Sequence, residues 1–202
     1  MDINSFTQLV NSTTQYTDIK GQLNELSHSS QLMIMRSLSP KIQRLLWTLC
    51  EGQEAGLNDL VPSGTPTGQP VRHYGKNTLP VFSLFEKRFM RTEGGAIWGY
   101  NEGKTRPIVG PGYFICRETS DSDFASEHIV IDYEQLPPLD ASECRIANWP
   151  QVQSNQAGLS RFVYAHMHDY MRKVSDYVLI GRAYRHGKAS SNYFVLCREA
   201  QE

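Results

Sequence analysis

FMRTEGGAIWGYNEGKTRPIVGPGYFICRE, residues 89–118, has an echo in YMRKVSDYVLIGRAYRHGKASSNYFVLCRE, residues 170–199. Each runs aromatic-Met-Arg, then Gly, then Tyr-x-x-Gly-Lys, Tyr-Phe and Cys-Arg-Glu, with small compensating gaps inside the same overall length. Both are aromatic and β-branched runs separated by turn residues, the pattern of strand, hairpin and strand, with Gly103 and Gly187 at corresponding turns. Hairpins in general favour Gly in turns and aromatics in strands, so similarity of this kind also arises without a repeat. The shared Cys-Arg-Glu endings favour the repeat.

Working outward, LPVFSLFEKRFMRT (residues 79–92) and EHIVIDYE (residues 127–134) have the same strand character. With both units they provide roughly six to eight strands, enough for a sheet to curl strongly or close. Between the fourth run and the second unit lies a long polar connection, at about residues 135–160, whose adjacent Pro137 and Pro138 exclude a continuous strand. A loop of that length reads as a lid or a packing arm.

The N-terminal part has a different texture. Ile3, Phe6 and Val10, then Ile19, Leu23 and Leu26, follow helical spacing. In SLSPKIQRLLWTLCEG, Ser39 suits an N-cap, Pro40 the first helical position and Gly52 the stop. Ile42, Leu45, Leu46 and Leu49 form a stripe that must cover another apolar surface. The Pro- and Gly-rich stretch that follows reads as an extended connection. The expected architecture is therefore α+β, with N-terminal helices packed on a strongly curved antiparallel sheet or barrel of calycin-like shape. Its segments are 1–55 (helical), 56–76 (linker) and 77–202 (sheet or barrel).

The chain has 202 residues, of which 40% are hydrophobic, and a formal net charge of -1. Without a basic field or a Lys/Arg run, nucleic acid is not an expected partner. No apolar run approaches a membrane span, and MDINSFTQLV lacks the features of a leader, so the expected location is cytoplasmic. Cys50, Cys116, Cys144 and Cys197 are widely spaced, as for reduced, core-filling thiols. No GxGxxG, GxxxxGK[ST] or GxSxG occurs, and GPG at residues 110–112 precedes a strand, where it reads as a turn. No motif calls for a cofactor.

The inside of a curled sheet is filled by side chains or left partly open for a small ligand. Trp98, Tyr100, Tyr113 and Tyr133 are aromatic candidates for lining such a pocket. Arg117, Arg182 and Arg198 lie within or at the ends of apolar runs, where each needs an anion, from a protein carboxylate or from a ligand. Alternation puts Arg182 and Tyr184 on one face, able to grip one carboxylate together. This pair resembles the Arg-x-Tyr arrangement of intracellular fatty-acid-binding barrels, a chemical analogy over two residues. Those barrels are shorter and place their helices between early strands. The expected function is binding of a small amphipathic or apolar molecule with an acidic head, lipid-like or an aromatic acid. In YAHMHDYMRK, His166, His168 and Asp169 offer an alternative, acid–base chemistry on a small substrate. His166 and His168 could share a strand face, but no third ligand at a convincing spacing makes a metal site of them. A third possibility is an interaction domain whose interior is filled.

Overall fold

The computed structural model describes residues 1–139 and 141–200, so the last two residues of the expected barrel segment lie outside it. Among the described residues, the strands are β1 (Val71–Asn77), β2 (Leu84–Arg91), β3 (Ile97–Glu102), β4 (Phe114–Glu118), β5 (Ile129–Asp132), β6 (Met167–Lys173), β7 (Val178–Arg185) and β8 (Lys188–Arg198). Each pairs antiparallel with the next, and β1 closes the ring on β8. The two echoing stretches run from the end of β2 through β4 and from within β6 through β8, and both follow three-stranded meanders. β1 begins inside the stretch read as linker. Its inward face carries His73 and Gly75 after Val71, so no apolar alternation announces it.

Phe114 lies opposite Gly99 and Phe194 opposite Gly181, in equivalent positions of the two meanders. A Cβ on Gly99 or Gly181 would sit 2.3 Å or 2.2 Å from the facing ring, so the missing side chain is what lets the ring lie against the neighbouring strand. Phe85 covers Gly75 in the same way. The Cys-Arg-Glu endings, by contrast, are out of phase. YFVLCRE has one residue more than YFICRE, and a shift of one position reverses the face. Cys116 therefore joins the interior cluster and Cys197 the outer one.

The outer face of β5–β8 is as apolar as the inner. Val130, Tyr170, Val178, Ile180, Val195 and Cys197 point outward into one buried layer with the helices α1 (Ile3–Ser12), α2 (Tyr16–Asn24), α3 (His28–Ser37) and α4 (Pro40–Leu49). The helices contribute Phe6, Val10, Ile19, Leu23, Ile34, Met35, Ile42 and Leu46. Ser39 Oγ accepts from the Ile42 N–H at 3.4 Å, capping α4 with Pro40 in its first turn. Two-sided cover is why these strands read as unbroken apolar runs. The opposite wall is covered by the long connection: Ala141, Cys144, Trp149 and Val152 pack on Met90, Tyr100 and Tyr113. Asn155 pins that arm, donating to the carbonyls of Tyr113 (2.7 Å) and Tyr133 (2.8 Å).

One end of the barrel is plugged. Ala55, Leu60 and Val61, around the single-turn helix α5 (Leu57–Leu60), belong to the interior cluster. Cations fasten them: Arg91 donates to Val61 O (2.9 Å), Arg198 to Asp59 O (2.9 Å) and Lys173 to the Asp59 carboxylate (2.7 Å). Inside, His73 Nε2 lies 2.8 Å from Leu60 O, which can only accept, so Nε2 carries the proton.

Leu46 is fully buried between helix and barrel, and Leu46→Ala is expected to lower stability by about 2–5 kcal/mol in denaturant titration. Burial holds His73 near a pKa of about 3, below its ordinary 6.5. Above pH 6.5 both folded and unfolded chains hold this imidazole neutral. Below it the unfolded chain takes up a proton that the folded one refuses, so stability falls as pH drops toward 3. Between pH 7 and 5 the wild type should lose about 2 kcal/mol more than His73→Gln, measured by denaturant titration at both pH values.

Candidate functional site

Alternation along β2 puts Lys87 between Phe85 and Phe89 on the inward face, and along β6 it puts Asp169 between Met167 and Met171. The two charges meet inside the barrel, with Lys87 Nζ 3.1 Å from Asp169 Oδ2 and both side chains buried. Lys87 also donates to Asn101 Oδ1 (3.0 Å) and to the hydroxyl of Tyr133, which donates in turn to Asp169 Oδ2 (3.2 Å). All the hydrogens of the ammonium thus have acceptors, and the ring centroids of Phe114, Tyr133 and Phe194 lie 4.9, 5.0 and 5.2 Å from Nζ. Burial pushes the Lys87 pKa below its ordinary value, and the Asp169 carboxylate opposes that shift. Burial also holds the Tyr133 hydroxyl well above its ordinary value, so it stays a donor at neutral pH.

GPG serves this cluster. Asn101 donates to Gly112 O at 3.0 Å, which fixes its amide. Gly112 has φ +54, and a Cβ there would strike the ring of Tyr164 at 2.4 Å. Tyr164 stacks in turn on Tyr133, with centroids 5.6 Å apart and planes 9° apart.

Above Lys87 and Asp169 the barrel is open. A cavity of about 780 Å³ runs from them to solvent, walled by Phe85, Tyr164, Met167, Ala183 and Phe194. Its mouth is set by the β1–β2 connection and by two single-turn helices, α6 (Arg106–Val109) and α7 (Ser160–Val163). These present Leu79, Val81, Phe82, Ile108 and Phe162 to water, Phe82 with 63% of its surface exposed and φ +52. At the same end Arg185, the last residue of β7, lines the cavity and donates to Phe162 O (3.1 Å) and Val163 O (2.6 Å). Among the described residues it pairs with no carboxylate, and each terminal nitrogen keeps a hydrogen free.

The residues expected from sequence are distributed differently. Arg182 and Tyr184 do not face the concave side. The β6 and β8 neighbours of Arg182, Tyr170 and Tyr193, point into the helix-covered layer, Tyr184 packs against the same layer, and Arg182 donates to Ser190 O at 3.0 Å on that outer face. The physical reason is that β7 is apolar on both sides, so alternation gives two faces without saying which is inner. Arg117 is also outside, paired with Asp132 (3.0 Å) and Asp123 (2.7 Å), while Arg198 lies at the plugged end. Trp98, Tyr100 and Tyr113 lie under the packing arm, and of the four aromatic candidates Tyr133 alone joins the interior cluster. The barrel wall separates Asp169 from the two histidines. His168 is on the outer face, 3.4 Å from Asp132, and His166, at φ +57, pairs with Glu134 at 2.9 Å. Sequence reading missed Lys87, Asn101 and Arg185.

The four cysteines are buried and unbridged, and burial raises every thiol pKa, those of Cys50 and Cys197 to about 12, which suits core packing and not nucleophilic attack. No protein-family model matches the chain, and neither a curated protein nor a solved structure is significantly similar to it.

Removing one partner of a buried pair leaves the other charge uncompensated. Lys87→Met or Asp169→Asn alone is expected to lower stability by about 3–5 kcal/mol, and the double variant to recover most of that loss. Denaturant titration of the four proteins of this cycle measures the coupling.

Proposed function

We propose that the open end of the barrel binds a small amphipathic molecule, its apolar body among the rings of Phe85, Tyr164 and Phe194 and an acidic head at Arg185. The observation that carries this reading is the cavity itself: about 780 Å³ of apolar-walled space, reached through an apolar rim and holding a guanidinium with no protein carboxylate. Small-molecule sites have that size and that mixture of many apolar walls and few polar groups. Lys87 is already neutralised by Asp169 and Arg106 by Glu102, so among the described cavity residues Arg185 and the exposed Lys104 are the cations without a carboxylate, and Arg185 is the one whose position hydrogen bonds fix. The exposed Leu79, Val81, Phe82, Ile108 and Phe162 suit an apolar molecule entering from that side.

The test is to titrate decanoate and 1-decanol against a polarity-sensitive dye bound in the cavity. Both should displace it from the wild type. Ala183→Phe, which fills the wall from β7, should abolish both displacements. Arg185→Gln should weaken decanoate by about 1–3 kcal/mol and leave decanol nearly unchanged. Failure of both compounds to bind, or equal binding to Ala183→Phe, would remove the reading.

A further inference from the structure

Lys87 is the residue at this site that simple storage of an apolar molecule does not require. A buried lysine and aspartate are expensive to place inside a barrel that could have been filled with apolar side chains. Here they sit where the open half of the barrel meets the filled half. Lys87 and Asp169 both line the cavity, so a ligand lying along the barrel axis would end against them.

We infer that Lys87 is a covalent attachment site for a carbonyl compound, an apolar aldehyde or ketone, which it holds as an iminium ion. The inference rests on the cavity-binding reading and adds to it the chemical class of the group at the ligand's inner end. The balance is simple. Asp169, 3.1 Å away, accepts a proton from the ammonium, freeing the nitrogen lone pair. That pair attacks the carbonyl carbon, a C–N bond forms, and the carbonyl π electrons go to oxygen, which is protonated. The nitrogen pair then expels the hydroxyl, with one further proton, as water. Lysine ammonium plus aldehyde gives iminium plus water, with one positive charge on each side and neither oxidant nor reductant involved.

Each requirement of this sequence has a residue. Desolvation makes the neutral amine easier to reach than in water. Tyr133 donates to Asp169 at 3.2 Å and accepts from Lys87, so it connects the nitrogen to the carboxylate for proton movement. Asp169 remains as counter-ion to the iminium, and the rings of Phe114, Tyr133 and Phe194 face the same cation. The apolar walls limit the water that would hydrolyse it.

The experiment incubates the full chain with decanal and sodium cyanoborohydride, which reduces iminium ions to stable secondary amines, followed by intact mass and peptide mapping. The expected result is one stoichiometric adduct, heavier by the mass of the aldehyde less one oxygen, on the peptide containing Lys87. Lys87→Arg, which keeps a cation beside Asp169, should lose that adduct. Excess 1-decanol should slow adduct formation in the wild type by occupying the cavity. If decanol binds and Lys87 stays unmodified, the iminium is overturned while the cavity reading stands. Labelling spread over surface lysines, equal in wild type and Lys87→Arg, also overturns it. If neither compound binds, both readings fall. Peptide mapping of the wild type locates the adduct even where the variant does not fold.

Discussion

A lysine and an aspartate 3.1 Å apart inside a barrel constrain everything around them. Neither charge is tolerable there alone, so β2 and β6, on opposite sides of the ring, must be held in a register that brings Lys87 to Asp169. Asn101 and Tyr133 take up the remaining hydrogen-bonding capacity, and each depends on a further element. The backbone of the GPG turn fixes the Asn101 amide, and the stacked ring of Tyr164 holds Tyr133 in place. The cluster thereby links residues of β2, β3, β6 and the ends of β4 and β5 into one polar floor.

Beneath that floor the barrel is filled by side chains such as Phe89, Met171 and Leu196, and around the floor itself the packing depends on glycine. Phe85, Phe114 and Phe194 lie over Gly75, Gly99 and Gly181, and without those glycines the rings would have to stand into the lumen. The same rings face the Lys87 ammonium, so the glycines that seat them also shape the cation's surroundings. Outside, the helices and the arm cover different arcs of the wall. The helical layer covers β5–β8 and the arm covers β2–β4.

Much of the fold was legible in the chain because periodicity and turn chemistry state it locally. The α4 stripe, its Ser39 cap and the paired meanders follow from such patterns, whereas the long connection after β5 read equally as a lid or a packing arm. The site was less legible. Arg182 drew attention because it interrupts VLIGRAY, yet a strand buried on both sides has no polar face to mark its outside. The informative signal was present elsewhere: Phe85-x-Lys87-x-Phe89 and Met167-x-Asp169-x-Met171 each put one charge between two apolar residues on the same face. Two such triplets of opposite sign predict an internal pair. β1 was hidden because His73 and Gly75 occupy inward positions, and Arg185 because one strand cannot say at which end of a barrel it stops.

The plug of Ala55, Leu60 and Val61 makes the barrel a blind tube. A tube open at both ends can be threaded, and its occupant can leave ahead of the next arrival. A blind one must be emptied by the route through which it was loaded, so exchange is strictly sequential and an occupant's leading end is fixed on arrival. For the proposed amphipathic ligand, depth would then be a measure of length: a molecule too short would leave its head below Arg185, and one too long would project it past the rim. Selectivity of that kind needs no recognition of the apolar part at all, only a fixed distance between the polar floor and the guanidinium at the mouth.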